Sequence, residues 1–299
     1  MRAEREPNPP ARLVPAGRLR PAREGGTALT PPSAPLSRYA GEGSGVRAGP
    51  SLLAEYAASI ALALAVLLAW EVAAAGFAIP KWLLPAPSDV VAALVASWEL
   101  IARHTLATLE EVLVGFVASF VVGVALAVAI VRSRVVERAL YPFVVASQTI
   151  PVVAIAPVLL VWFGYGLWPK AIVVVLICFF PIVVNTVDGF RAVDPDLVDL
   201  LRTMGATPRQ IFAKVQVPTA LPYLLSGTKI AIAVSVIGAV IGEWVGAQAG
   251  LGYLMVRSAA QFQTARVFAA ILVLSAMGIA LFGLVALVER FALAYRRAS

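Results

Sequence analysis

Few residues in this chain have the type and spacing to do chemistry. There is one cysteine, Cys178, and one histidine, His104. A single thiol cannot close an intrachain disulfide or build a cysteine metal cluster. A single imidazole excludes a His-Glu-x-x-His zinc pair, and no Ser/His/Asp set is assembled around it. Cys178 stands inside an apolar run and reads as a packing residue, while His104, beside Arg103 at the foot of an apolar segment, reads as an interfacial side chain. No Gly-x-x-x-x-Gly-Lys-[Ser/Thr] phosphate loop occurs, so the chain is not expected to hydrolyse ATP. These absences together predict a protein that is not an enzyme and holds no metal or cofactor of its own.

The remaining candidates are charges and amides placed among apolar residues: Glu71 after Trp70, the pair Glu110-Glu111, Lys229 and Glu243. A charge facing lipid at mid-depth costs at least roughly 2.5–3.5 kcal/mol, so such residues turn toward the bundle interior or a wet cavity. Glu243 is the first candidate for lining a translocation path or its outer gate, with an interhelical hydrogen bond as the competing reading. Pairing with Lys229 is excluded on a single helix, because more than three turns separate them. Glu71 is a second path candidate for which a structural role weighs more, and Glu110 and Glu111 read as interfacial. Gln148, between Ser147 and Thr149 and ahead of Pro151, is the third, since proline frees a backbone carbonyl and leaves a polar kink that can face a cavity.

A different kind of pattern occupies residues 191–218, which are too polar to span and too ordered in spacing to be structureless. Asp194 can cap a helix with Pro195 at its first position. Leu197, Leu200, Leu201 and Met204 then recur on one helical face. Gly205 suits the left-handed residue that ends such a helix. Thr207, Pro208 and Gln210 spell a second start with a capping box, and Pro218 is expected to stop it. Two short amphipathic helices hinged by a glycine form an object that another protein can grip.

The elements that must position these residues are membrane helices. The chain is 60% hydrophobic and 14% charged with a mean hydropathy of +0.87, against roughly 45–50% and 25% in soluble domains. Six apolar runs approach the roughly 20 residues needed to cross a bilayer, at 55–78, 108–131, 140–163, 169–189, 223–246 and 267–290. The third is broken by Pro151 and Pro157, so five spans remain an open count. The net charge of +7 does not point to nucleic acid, because eight of the 24 basic residues are arginines scattered through residues 1–50 among Pro, Gly, Ala and Ser. That stretch reads as a disordered tail without a secretory signal, followed by a membrane domain over 52–299. With the N-terminus inside, eighteen basic residues fall on the cytoplasmic side and five outside. This predicts cytoplasmic termini. Outside, Ser88 or Asp89 is expected to cap a short interfacial helix, and residues 250–266 to form another.

The loop resembles that of the permease subunits of ABC (ATP-binding-cassette) importers, written Glu-Ala-Ala, three residues, Gly, nine residues, Ile-x-Leu-Pro. Here it reads Asp199-Leu200-Leu201, three residues, Gly205, nine residues, Val215-Gln216-Val217-Pro218. The resemblance covers about residues 52–295. It includes Leu84-Pro-Ala-Pro-Ser-Asp89, Gln148-Thr-Ile-Pro151, Ala156-Pro-Val-Leu-Leu-Val-Trp-Phe-Gly164, Gly242-Glu-Trp244 and Gly250-Leu-Gly-Tyr253, and is nearest to the nitrate/sulfonate/taurine branch. It implies an all-α polytopic bundle in the bacterial plasma (inner) membrane, working as a homodimer. It further implies a cytoplasmic ATPase dimer, which holds the ATP and Mg, gripping the coupling loop, and an extracytoplasmic binding protein delivering a small polar solute. Within the branch, the region from Gly242 to Gly252 is more similar to pyrimidine and riboflavin importers than to nitrate, taurine or alkanesulfonate ones. The alternatives are an ion-gradient-driven secondary transporter, which would show repeated halves and paired broken helices, and a membrane protein that binds a partner through the loop without transporting.

Overall fold

In the computed structural model, residues 52–77 and 79–297 are described, and the tail over 1–51 lies outside the described residues. Among those described there are helices and no strand: α1 (Leu52–Gly76), α2 (Pro87–Ala96), α3 (Trp98–Arg132), α4 (Arg134–Ala146), α5 (Val152–Phe163), α6 (Leu167–Arg191), α7 (Pro195–Thr203), α8 (Pro208–Ile211), α9 (Val217–Gly246), α10 (Leu251–Ala260) and α11 (Thr264–Arg297). In lipid the backbone must satisfy its own hydrogen bonds, and continuous helices do so. Five stretches are long and apolar enough to cross a membrane alone, and the consecutive pair over Arg134–Thr149 and Val152–Phe163 would make a sixth, bent by 102°. The bend falls where Pro151 interrupts the apolar run, as its ring and missing N–H require.

Contacts between helices settle the path. A β-carbon placed on Gly123 of α3 would lie 3.0 Å from Ile182 Cγ2 of α6, and Gly115 abuts Val174. Residue numbers rise together, so α3 and α6 run parallel. Gly227, Gly238 and Gly242 of α9 abut Asn185, Val174 and Lys170 of α6 in reverse order, so α9 is antiparallel to both. These are small-residue approaches of the kind that bring membrane helices together. Because α3 ends and α6 begins at opposite ends of the bundle, residues 134–163 carry the chain back across, and the crossings among the described residues number six.

At one end, α2 and α10 close the bundle. Ser88 donates to Glu71 through its backbone N–H at 3.0 Å and its hydroxyl at 2.7 Å, tying α2 to α1. Arg266 Nε donates to Ser97 Oγ at 3.2 Å, and the Trp70 and Phe268 rings lie 5.6 Å apart. The cap of α2 is Ala86 with Pro87 in the first turn, not Ser88 or Asp89. Proline's fixed φ sets the start, and Asp89 in the first turn accepts from Ala86 N at 3.4 Å. Lys81, hydrogen-bonded to Asp89, holds that carboxyl below its ordinary range.

The core is centred on α6 and α9, where Val174, Cys178, Ile182, Ala231 and Ala239 are buried. Cys178 Sγ donates to Ala231 O at 3.2 Å, in keeping with a packing role. Lys229 pairs with Glu289 of α11 at 2.5 Å, so its partner is on another helix. Residues 57–69 of α1 are exposed throughout, the pattern of a helix bathed in lipid.

Candidate functional site

Two places gather side chains whose arrangement goes beyond packing, one at each end of the bundle. The first is the loop from α6 to α9. Asp194 caps α7, its Oδ1 accepting from Asp196 N at 2.9 Å, with Pro195 in the first turn. Gly205 ends the helix at φ 83°, with Gly205 N donating to Arg202 O at 3.0 Å and Ala206 N to Leu201 O at 2.9 Å. Those two bonds make a Schellman cap, a conformation that favours glycine. Thr207 then starts α8 with the expected capping box: Gln210 N reaches Thr207 Oγ1 at 3.4 Å and Thr207 N reaches Gln210 Oε1 at 2.7 Å.

One expectation fails here. Pro218 does not stop the second helix: α8 passes through a π-helical turn, Phe212–Gln216, directly into α9. Val217 N bonds to Phe212 O, five residues back. This widened turn accommodates a proline that would otherwise clash with the carbonyl four residues earlier. The result is one helical column, Pro208–Gly246, of 39 residues. Its base is held by Phe212, stacked on Phe190 at 5.6 Å and covered by the Arg132 guanidinium at 4.9 Å.

The α7 helix itself is bare. Leu197, Leu200 and Met204 are 42%, 57% and 74% exposed, and Leu201 is half-buried. Asp199 pairs with Arg202 at 2.9 Å, and Val215 and Pro218 are half-buried within the column. Exposed apolar rows of this kind are a common mark of interaction sites.

The second place is at the α2 and α10 end. Glu243 is buried, and its Oε2 accepts from Gly252 N at 2.5 Å and Tyr253 N at 3.3 Å, at the positive end of α10. Its Oε1 accepts from Thr108 Oγ1 at 2.6 Å, Leu251 N donates to Thr108 Oγ1 at 2.8 Å, and Gly250 N donates to His104 Nδ1 at 3.0 Å. A β-carbon on Gly250, at φ 120°, would collide with the Glu243 carboxylate. Beside this network Lys170 of α6 forms an ion pair with Glu111 of α3, both side chains largely buried. A cleft of about 320 Å³ opens next to the pair, with Glu110, Tyr165 and Gln248 at its mouth.

Of the three path candidates, Glu243 lies next to this cleft in an interhelical hydrogen bond, Glu71 holds α2, and Gln148 is exposed in the short turn between α4 and α5. Glu111 is buried in the bundle and His104 accepts from Gly250 N, on a helix that starts at Trp98, ten residues ahead of the apolar run. Thr108 and Lys170 carried no separate signal. Their partners stand 135 and 59 residues away.

Fold and site together define a polytopic helical membrane subunit with a capped two-helix loop between α6 and α9. Residues 119–293 match the family described as binding-protein-dependent transport system inner membrane component. The chain is 43% identical over 235 residues to the formylaminopyrimidine transport permease protein ThiX of Halalkalibacterium halodurans, covering 78% of this chain and 94% of that one. It is 36% identical over 227 residues to the riboflavin transport system permease protein RibX of Chloroflexus aurantiacus, covering 75% and 85%. A solved inward-facing MetNI methionine ABC transporter shares the fold, with a TM-score of 0.57 at 22% identity over 65% of this chain and 97% of that one. The chain belongs to the binding-protein-dependent transport system inner membrane components, the permease subunits of ABC importers. It is a multi-pass membrane protein and a transport component, with ATP hydrolysis residing in a separate subunit.

Proposed function

We propose that this permease forms a homodimer whose α7 loops dock on a cytoplasmic ATPase dimer, and that it imports a small formylaminopyrimidine-like solute handed over by an extracytoplasmic binding protein. The observation that carries the reading is the bare apolar row Leu197, Leu200 and Met204, set between Asp194 and Gly205 caps at the end of the bundle where α3, α6 and α11 finish. Leu200, Leu201 and Gly205 make the grip, with Asp199, Val215 and Pro218 around it. ATP and Mg belong to the partner, whose closure would push on the loop, and the 39-residue column would carry that push toward Glu243. Cytoplasmic termini are supported by the excess of Lys and Arg over the segments at the α7 end. The formylaminopyrimidine relative at 43% identity supports the substrate class.

The test is uptake and ATPase activity of the reconstituted assembly with Leu201→Asp and Gly205→Pro variants. Both are expected to insert normally and to lose coupling. Normal transport by either would overturn the docking assignment.

A further inference from the structure

We propose that His104 is a positioning residue at the outer end of the permease: its neutral Nδ1 holds Gly250 and the start of α10 in place, and a proton taken up from the outer side releases that hold and slows import. This rests on the importer reading above, with the α10 end facing outward, and adds a control of the same machinery by external acidity.

The start of α10 has no side-chain cap of its own, and its first amides are held by side chains of two other helices. Gly250 N donates to His104 Nδ1 at 3.0 Å and Leu251 N to Thr108 Oγ1 at 2.8 Å, both on α3, while Gly252 N and Tyr253 N donate to Glu243 of α9. A backbone N–H can only donate, so the ring nitrogen facing Gly250 carries a lone pair, and the imidazole is neutral with its proton on Nε2. Of the acceptors that hold α10, the imidazole is the one whose ordinary titration falls between pH 5 and 8. Protonation makes Nδ1 a donor pointed at another donor, and the bond is lost. The surrounding groups do not restore it. Arg103 on α3 and Arg257 on α10 are the cations that face the ring, and they repel a further positive charge. Tyr253 lies with its ring 5.8 Å from the imidazole, and its hydroxyl accepts from Arg257 Nη1. The Glu243 carboxylate on α9 is engaged by Thr108, Gly252 and Tyr253. His104 is half-buried, so solvent protons reach it and an imidazolium can swing outward. Gly250 ends the turn that joins α9 to α10, directly after the column Pro208–Gly246. Freeing it loosens α10 at the joint through which the column's movement would reach the outer end.

The test compares the parent with His104→Asn, whose Oδ1 takes the place of Nδ1 as an acceptor and does not titrate, and with His104→Phe, which has no acceptor. Hydrogen–deuterium exchange of residues 247–254 is followed in the full-length permease in nanodiscs near pH 7.5 and near pH 5, on either side of the ordinary imidazole range. Each variant is set against the parent at the same pH, so the intrinsic pH dependence of exchange cancels. Near pH 7.5 the parent and His104→Asn should exchange alike. Near pH 5 the parent should exchange roughly two- to tenfold faster than His104→Asn, the scale of one hydrogen bond, and match His104→Phe. Uptake of tritiated formylaminopyrimidine into proteoliposomes with ATP and buffer inside should follow the same order, external acid slowing the parent more than His104→Asn. Equal exchange of the parent and His104→Asn at both pH values would overturn the proposal, as would an acid loss of uptake equally deep in His104→Asn. If His104→Phe fails to assemble, the comparison of the parent with His104→Asn decides alone. Absence of uptake by the parent at both pH values would count against the importer reading, while the exchange comparison, which needs no solute, would still decide whether His104 holds α10.

Discussion

The Thr108 hydroxyl donates to Glu243 at 2.6 Å across 135 residues of sequence, and the same oxygen accepts from Leu251 N at 2.8 Å. One threonine thereby joins α3, α9 and the start of α10. With Gly252 and Tyr253 also donating to Glu243, the carboxylate caps α10 from a neighbouring helix, a task ordinarily done by a residue at the helix start.

Glu243→Ala removes that cap and leaves the buried Thr108 hydroxyl with only its longer bond to His104 O, at 3.2 Å. The combined cost is about 2–4 kcal/mol. It should be read as a lower melting temperature of the detergent-solubilised protein. Glu243→Gln keeps an acceptor oxygen and should cost about 1 kcal/mol. Equal melting of Glu243→Ala and the parent would contradict the capping role.

The Glu111–Lys170 pair predicts non-additivity. Lys170→Met alone strands a carboxylate in the bundle at a cost of roughly 3–5 kcal/mol, whereas removing both charges relieves most of it. A double-mutant cycle of Glu111→Gln and Lys170→Met, followed by thermal unfolding, should show the double variant more stable than Lys170→Met. Additive losses would mean that the two groups do not share their charge.

Reach along the sequence decided what could be read from it. Asp194, Gly205, Thr207 and Gln210 act within a few residues of themselves, so their caps were legible and the structure has them as expected. Apolar runs located all six crossings for the same reason, but understated their ends: α3 extends to Trp98 through polar turns that satisfy one another with partners on other helices. Glu111 reads as interfacial, and Thr108 and Lys170 carry no signal of their own, because nothing within one helical turn reveals a partner on another helix. Pro218 misled because a proline's usual effect is local, while the π-turn that accommodates it lies in the five residues before Val217.

Gly205 can be tested apart from the groups it serves. At φ 83° a side chain costs about 1–2 kcal/mol, and asparagine, which visits this region more readily, costs less. Open space surrounds its missing β-carbon, so no clash adds to the strain. Gly205→Ala should therefore insert and assemble at near-normal yield and show reduced uptake per ATP hydrolysed, with Gly205→Asn closer to the parent. Paired measurement of ATPase and uptake rates in proteoliposomes checks the order, and an alanine variant with unimpaired coupling would show that the loop's shape does not depend on this residue.

Pro218 makes the sharpest separation between stability and coupling. The π-turn ahead of it adds one residue to a helical turn, which rotates everything below it, including α8 and the α7 face, by roughly 100° relative to an uninterrupted α-helix. Pro218→Ala restores an N–H and removes the ring clash, so residues 212–216 can tighten to ordinary α-helix, a change worth about 1 kcal/mol or more in helix stability. Leu200 and Leu201 would then be turned away from the proposed docking partner, although none of their own atoms has changed. The expected result is a melting temperature equal to or above that of the parent together with weakened co-purification of the ATPase subunit and slower uptake. A variant that keeps full ATPase coupling would show that the loop's bearing is set by the Phe190 and Arg132 contacts to Phe212, independently of the π-turn.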